Sequence, residues 1–149
     1  MSLAARLREA DHLARLRESA GRRFRALGPV GVAGITLALF AVSFDLSGNR
    51  ALLDEAESLI RKGLELAPND AFILDSLGWA LYRRGNLDGA LVELKRAFQL
   101  RADPEIAAHL GEVLWMMGRR DEAARTWKDA AKAHPENTVL ADVIKKFKP

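Results

Sequence analysis

Cysteine is absent from the 149-residue chain, which excludes disulfide staples, thiolate nucleophiles, Cys-based zinc sites and Cys-ligated iron–sulfur clusters. Histidine is scarce: His12, His109 and His134 are the whole set, and none has a partner at metal-ligand spacing. His134 falls at a helix end, and His109 reads as a solvated or inter-repeat residue. Gly28, Gly31 and Gly34 follow no predicted strand and lead into no Gly-Lys-Ser/Thr, so they make no phosphate cradle. Asp75 and Glu112 are far apart in the chain with no predicted pocket, which argues against paired acid–base work. These gaps predict a chain with no catalytic residue, no metal and no cofactor. Only 7% of residues are aromatic, but 49% are hydrophobic and 29% charged, enough apolar material for a folded core.

Charge of one sign gathers at one end. Residues 1–26 hold seven arginines against Glu9, Asp11 and Glu18, a net +4, while the remaining 123 residues hold 16 basic and 17 acidic side chains. The body is therefore not a nucleic-acid binder by charge. In the arm, Leu3, Leu7, Leu13, Leu16, Ala20 and Phe24 recur at helical spacing among the arginines, which predicts a basic amphipathic helix. Such a helix suits either an anionic membrane or acidic partner, or a solvated extension of the fold.

Ala26 to Phe44 is a run of 19 residues without a charge, long enough for a membrane span or a signal-peptide core. Its first half, Gly28 to Gly34, is rich in helix-weakening residues, and the strongly apolar part, Ile35 to Phe44, fits a buried helix of a soluble fold. Both readings stay open at this point, and with them the compartment.

The strongest signal is internal. An offset of 33 residues aligns Leu77-Gly78 with Leu110-Gly111, Leu81 with Leu114, Gly85 with Gly118, Ala90 with Ala123, Leu94 with Trp127 and Ala97 with Ala130. Each unit reads as two helices and a tight turn: Phe72 to Arg84 then Leu87 to Leu100, and Glu105 to Met117 then Arg120 to His134. Gly85 and Gly118 stand where the first helix must stop in a left-handed conformation. Asp70 and Asp103 are predicted N-caps, with Pro104-Glu105 a favourable helix start. Gly78 facing Ala90, and Gly111 facing Ala123, would let antiparallel helices approach closely. Leu74, Leu77, Leu81, Leu94, Ala97 and Leu100, then Leu110, Leu114, Trp127 and Ala130, are the predicted core.

This pattern resembles the tetratricopeptide repeat, with small residues at the eighth and twentieth positions and a proline near the thirty-second, here Pro68 and Pro135. The resemblance implies an all-α, right-handed superhelical stack of about three hairpins over residues 35–137: a degenerate unit at 35–70, then 71–103 and 104–137. Residues 1–34 precede it as arm and connection. Ile35 to Leu46 and Leu52 to Leu66 would form the first hairpin. Residues 138–149 would form a closing helix, capped by Asn137 or Thr138, with Val139, Leu140, Val143, Ile144 and Phe147 inward and Lys145, Lys146 and Lys148 in water. The runs Ile73 to Tyr82 and Asp103 to Trp115 are more narrowly similar to the C-terminal repeats of bacterial tetratricopeptide lipoproteins, associated with the outer membrane as assembly or protease adaptors. No lipidation cysteine accompanies them here.

In this family the first helices line a concave face, so the resemblance implies partner contacts at Phe72, Asp75, Trp79, Tyr82 and Arg83 in one unit and Glu105, Ala108, Glu112, Trp115 and Met116 in the next. Trp79 and Tyr82 share a helix side, and Trp115 recurs 33 residues after Tyr82. These aromatics either anchor a partner or pack between repeats. Family members that clamp a chaperone's C-terminal carboxylates place Lys, Asn and Arg where this chain has Asp75, Trp79, Glu105 and Glu112, so an acidic C-terminal peptide is not the expected ligand. The expected function is a non-enzymatic adaptor binding a protein or peptide segment. Two alternatives stand beside it: a membrane-tethered assembly factor using residues 26–44, and a homo-oligomerising repeat module.

Overall fold

The computed structural model describes residues 50–149. The basic arm, the uncharged run at 26–44 and the proposed helix at Ile35 to Leu46 lie outside the described residues. The described part is all-helical, without strands, and its contacts separate two units, one ending at Pro68 and one spanning Asn69–Pro149. From the first unit one helix is described, α1 (Arg50–Leu66). It carries buried Ala56 and Ile60 and an exposed Arg61–Glu57 pair at 2.8 Å. No helix among the described residues is long and apolar enough to cross a membrane.

The second unit holds α2 (Ala71–Arg83), α3 (Leu87–Leu100), α4 (Pro104–Met116), α5 (Arg120–Ala133) and α6 (Thr138–Phe147). Local chemistry sets nearly every boundary. Asp70 accepts from the backbone N–H of Phe72 at 2.9 Å and of Ile73 at 3.2 Å. Asn86 accepts from Gly89 N–H, Asp103 from Glu105 N–H, and Asn137 from Leu140 N–H at 2.8 Å. Each satisfies a donor that the first helical turn leaves unpaired. Helix α5 has no side-chain cap; Arg119 instead grips Glu122 through two 2.7 Å contacts, and Asp121 and Glu122 meet the positive end of the helix.

The two hairpin turns are built alike. Gly85 (φ +83°) and Gly118 (φ +79°) take left-handed conformations. The next residue then donates its N–H back into the finished helix, Asn86 to Leu81 O and Arg119 to Leu114 O, both at 2.9 Å. Helices α2 and α3 form one hairpin, α4 and α5 the next, and α6 packs on α4 and α5; α2 and α4 lie side by side as first helices.

A close approach holds each hairpin together. A Cβ on Gly78 would stand 2.5 Å from Leu94 Cγ and 3.2 Å from the Ala90 carbonyl oxygen, and one on Gly111 would enter the Trp127 indole. Trp127 fills the space Gly111 leaves and donates its Nε1–H to the Ala108 carbonyl at 3.2 Å. It also stacks on Phe147 of α6 at 5.2 Å. Leu74, Leu77, Leu81, Leu94, Ala97, Leu110, Leu114, Trp127 and Ala130 are buried as the spacing predicts. Leu100 is the exception at 48% exposed. It is the last residue of α3, beyond the turn that faces α2, where Arg101 takes the chain out in an extended conformation (φ −152°).

Substituting Gly111 by Ala should therefore destabilise the fold by about 1–3 kcal/mol, the range for overpacking a filled core, in urea unfolding followed by circular dichroism. Gly118 has open space for a Cβ and only its conformation to protect, so Gly118→Asn should cost less than Gly118→Ala. Gly111→Asn should be worse than Gly111→Ala.

Candidate functional site

Helices α2, α4 and α6 present one polar and aromatic network across their facing sides. It starts at Asp75, on the buried side of α2. His109 Nδ1 on α4 lies 2.9 Å from Asp75 Oδ1 and 3.1 Å from Oδ2. An ionised carboxylate only accepts, so Nδ1 carries a proton and donates it. The pair is mostly out of water, with side-chain exposures of 18% for His109 and 9% for Asp75. Removing one partner of such a buried pair typically costs about 3–5 kcal/mol, because the other is left uncompensated.

The imidazole then serves as a floor for Trp79. The two rings stack at 4.2 Å with 23° between planes, and Trp79 meets Tyr82, one turn along α2, at 4.8 Å. Tyr82 donates its hydroxyl to Glu112 Oε1 at 3.1 Å. The same oxygen takes Lys146 Nζ, from α6, at 3.1 Å. Glu112 is itself buried, so these two donors supply the hydrogen bonds that burial would otherwise deny it.

This environment moves two protonation equilibria. Burial would push the His109 imidazolium down, but Asp75 opposes that by charge and hydrogen bond, with Glu112 and Glu105 adding to it, and the net result lies above the ordinary 6.5. Tyr82 is pushed up to about 12, by burial first and then by the charge and hydrogen bond of Glu112. Among the described residues no three His, Asp or Glu side chains gather as a metal site.

The predicted contact residues divide into three kinds. Trp79 and Tyr82 keep part of their surface in water, as do Phe72, Arg83, Glu105 and Trp115, and Met116 is 54% exposed. Asp75 and Glu112 are buried and act as supports inside the network. Ala108 is 1% exposed; it lies beneath the face, its carbonyl occupied by Trp127, and is corrected from a contact to a core residue. Trp115 sits against Trp127 at 5.9 Å and Phe147 at 5.6 Å, with the Arg120 guanidinium 5.1 Å from its ring centre, so it is partly spent on seating α6. Phe72 carries the Arg101 guanidinium 5.0 Å from its ring centre.

His109 lies between the repeats, one of its two expected places, and Lys146 stays mostly in water at 60% side-chain exposure; what the sequence reading does not give is their partners, Asp75 and Glu112. A signal for both exists. Asp75 to His109 and Glu112 to Lys146 are each 34 residues apart, one period plus one, and Tyr82 to Glu112 is 30. The two separations differ by four, one helical turn, so both mark neighbouring levels of the same facing edges.

The matching hairpins, their glycine turns and the side-by-side first helices agree with what comparison finds. No family model matches the sequence. A TPR repeat-containing protein of Pseudomonas aeruginosa is 45% identical over 76 residues, 51% of this chain. Over that stretch the chain is similar to a tetratricopeptide-repeat protein. That match spans only 13% of the length of the Pseudomonas protein. The thermophilic TPR protein TTC0263 of Thermus thermophilus superposes with a TM-score of 0.69 at 24% identity, covering 95% of this chain and 78% of that one. The second TPR domain of human RPAP3, solved in complex with an HSP70 peptide, gives 0.61 at 13% identity, covering 80% and 98%. At those identities the two structures speak for the fold, a helical repeat superhelix.

The chain's only tyrosine is Tyr82, so its ionisation is directly readable. In a rapid pH jump, before alkaline unfolding, phenolate absorbance should rise with a midpoint near 12 in the native chain, and near 10 in denaturant. Because the folded value is the higher one, Tyr82 contributes stability that is intact below 10 and lost as the pH rises towards 12. Glu112→Gln should bring the native midpoint down by removing the negative charge and leaving burial.

Proposed function

We propose that this chain is a non-enzymatic protein-interaction scaffold that receives an extended partner segment along the face of α2 and α4. Trp79 and Tyr82 are its anchors, and Phe72, Arg83, Glu105, Trp115 and Met116 form the margin. The observation that carries this reading is the way Trp79 and Tyr82 are held. Each is only half-buried, while His109, held on Asp75, stacks against Trp79 and the buried Glu112 takes the Tyr82 hydroxyl. Aromatic surface already fixed in place loses little freedom on binding, which is why such residues dominate interface energetics.

Peptide binding in the human RPAP3 domain, whose partner is the HSP70 peptide SGPTIEEVD, supports a peptide as the class of ligand. The charge of the face separates the two cases. Asp75, Trp79, Glu105 and Glu112 stand where carboxylate-clamping relatives carry Lys, Asn and Arg, so an acidic C-terminus has no clamp here and the expected partner segment is neutral or basic. The narrower resemblance to adaptor repeats of bacterial envelope proteins fits the same role.

The test uses peptides selected from a random display library on the full chain. Trp79→Ala should weaken the selected peptides at least about tenfold, the loss expected for an aromatic anchor. Lys128→Ala, an exposed change on α5, should leave them unchanged, and the HSP70 peptide should not bind. Unaltered affinity in a Trp79→Ala chain with native circular dichroism would remove this face as the site.

A further inference from the structure

The aromatic face and the joint between the two repeats share one residue. His109 is on α4, donates to Asp75 on α2, and lies under Trp79 of α2. We infer that His109 is a pH-sensitive latch between the first helices of the two repeats, and that its charge state sets the packing of Trp79 on the binding face.

The groups around the latch make its direction definite. Asp75 faces it from α2, and Glu105 and Glu112 from α4 itself. Lys146, from α6, is held on Glu112 rather than on the imidazole. Arg83, at the end of α2, acts on Tyr82. The nearest charges to His109 are thus carboxylates, and two of the three are buried. With the imidazole protonated, Asp75 has a cation against it in a dry joint, and the hydrogen bond between the helices is charge-assisted. With the imidazole neutral, the Nδ1 hydrogen bond survives with only its acceptor charged, and Asp75 on α2 faces Glu105 and Glu112 on α4 with one positive charge fewer at the joint. Buried like charges drive apart the surfaces that carry them.

Trp79 feels the change directly. An imidazolium stacked at 4.2 Å is attracted to the negative face of the indole, and a neutral imidazole loses that attraction. The latch is closed below the ordinary histidine value of 6.5 and opens as the pH rises through the higher native value. Its consequence for binding rests on the proposed role of Trp79. In that case a partner meets a fixed indole at the acidic end and a looser one at the alkaline end.

Nuclear magnetic resonance on the full chain tests the latch without a ligand. His12, His109 and His134 are told apart by His109→Gln, which keeps a donor for Asp75 and cannot titrate. The expected result is an inflection of the His109 ring above 6.5 that appears with the same midpoint at the Trp79 indole N–H and is missing at that N–H in His109→Gln. A His109 midpoint at or below 6.5, or a Trp79 signal that does not follow it, overturns the latch. Asp75→Asn should lower the His109 midpoint, and His109→Gln carries the test by itself if Asp75→Asn does not fold. The selected peptides form a second arm. Trp79-dependent peptides should lose about fivefold or more in affinity across the same inflection, the lower end of ordinary coupling between sites, and constant affinity overturns the link to binding. If no selected peptide depends on Trp79, the binding reading fails while the resonance arm still decides the latch.

Discussion

Everything in the second unit depends on how closely two antiparallel helices approach at a glycine. At Gly78 the neighbour is Leu94, and at Gly111 it is the Trp127 indole. A hairpin so closed puts its second helix at a fixed depth, which in turn fixes where the next first helix can lie. The larger residue in the second hairpin has a further role. Trp127 reaches through to stack on Phe147 and ties its Nε1–H to Ala108, so one side chain joins α4, α5 and α6. Repeat proteins gain most of their stability from such neighbour contacts, and the terminal helix is secured by the same aromatic cluster that closes the last hairpin.

The facing edges of the first helices use a different chemistry. An apolar seam would have been simpler there, yet Asp75, His109 and Glu112 occupy it, with the exposed Lys146 reaching in from α6, and burying charges is costly unless they are paired and hydrogen-bonded. Here they are paired in register, Asp75 with His109 and Glu112 with Lys146, with Tyr82 adding a second donor to Glu112. Such pairs specify one offset between neighbouring helices, since a slip of one turn would leave a buried carboxylate without its donor. They also lie directly under Trp79 and Tyr82, so the device that sets the joint also holds the aromatic face still.

That double use connects fold to function. A scaffold that binds extended segments needs exposed aromatic surface that does not collapse inward, and a polar support beneath it accomplishes this. The human RPAP3 domain, which shares this fold, was solved with an HSP70 peptide.

The sequence by itself determined the repeat, the helix limits of the two matching units to within a residue, the glycine turns, the caps at Asp70 and Asp103, and Trp127 as core. These follow from short-range rules: a left-handed turn needs glycine, a helix start needs an acceptor, and a buried stripe recurs with the helical period. The choice of Asn137 over Thr138, and the cap at Asn86 beside the Gly85 turn, come from the structure. The sequence places the expected contact residues on the first helices but does not give their depth. Ala108, Asp75 and Glu112 share the side occupied by Trp79 and Tyr82 and yet are buried. Only the tertiary structure decided that, along with the Asp75–His109 and Glu112–Lys146 pairings. Periodicity gives each helix its rotation about its own axis, whereas the offset and depth between neighbouring helices come from the close contacts at Gly78 and Gly111.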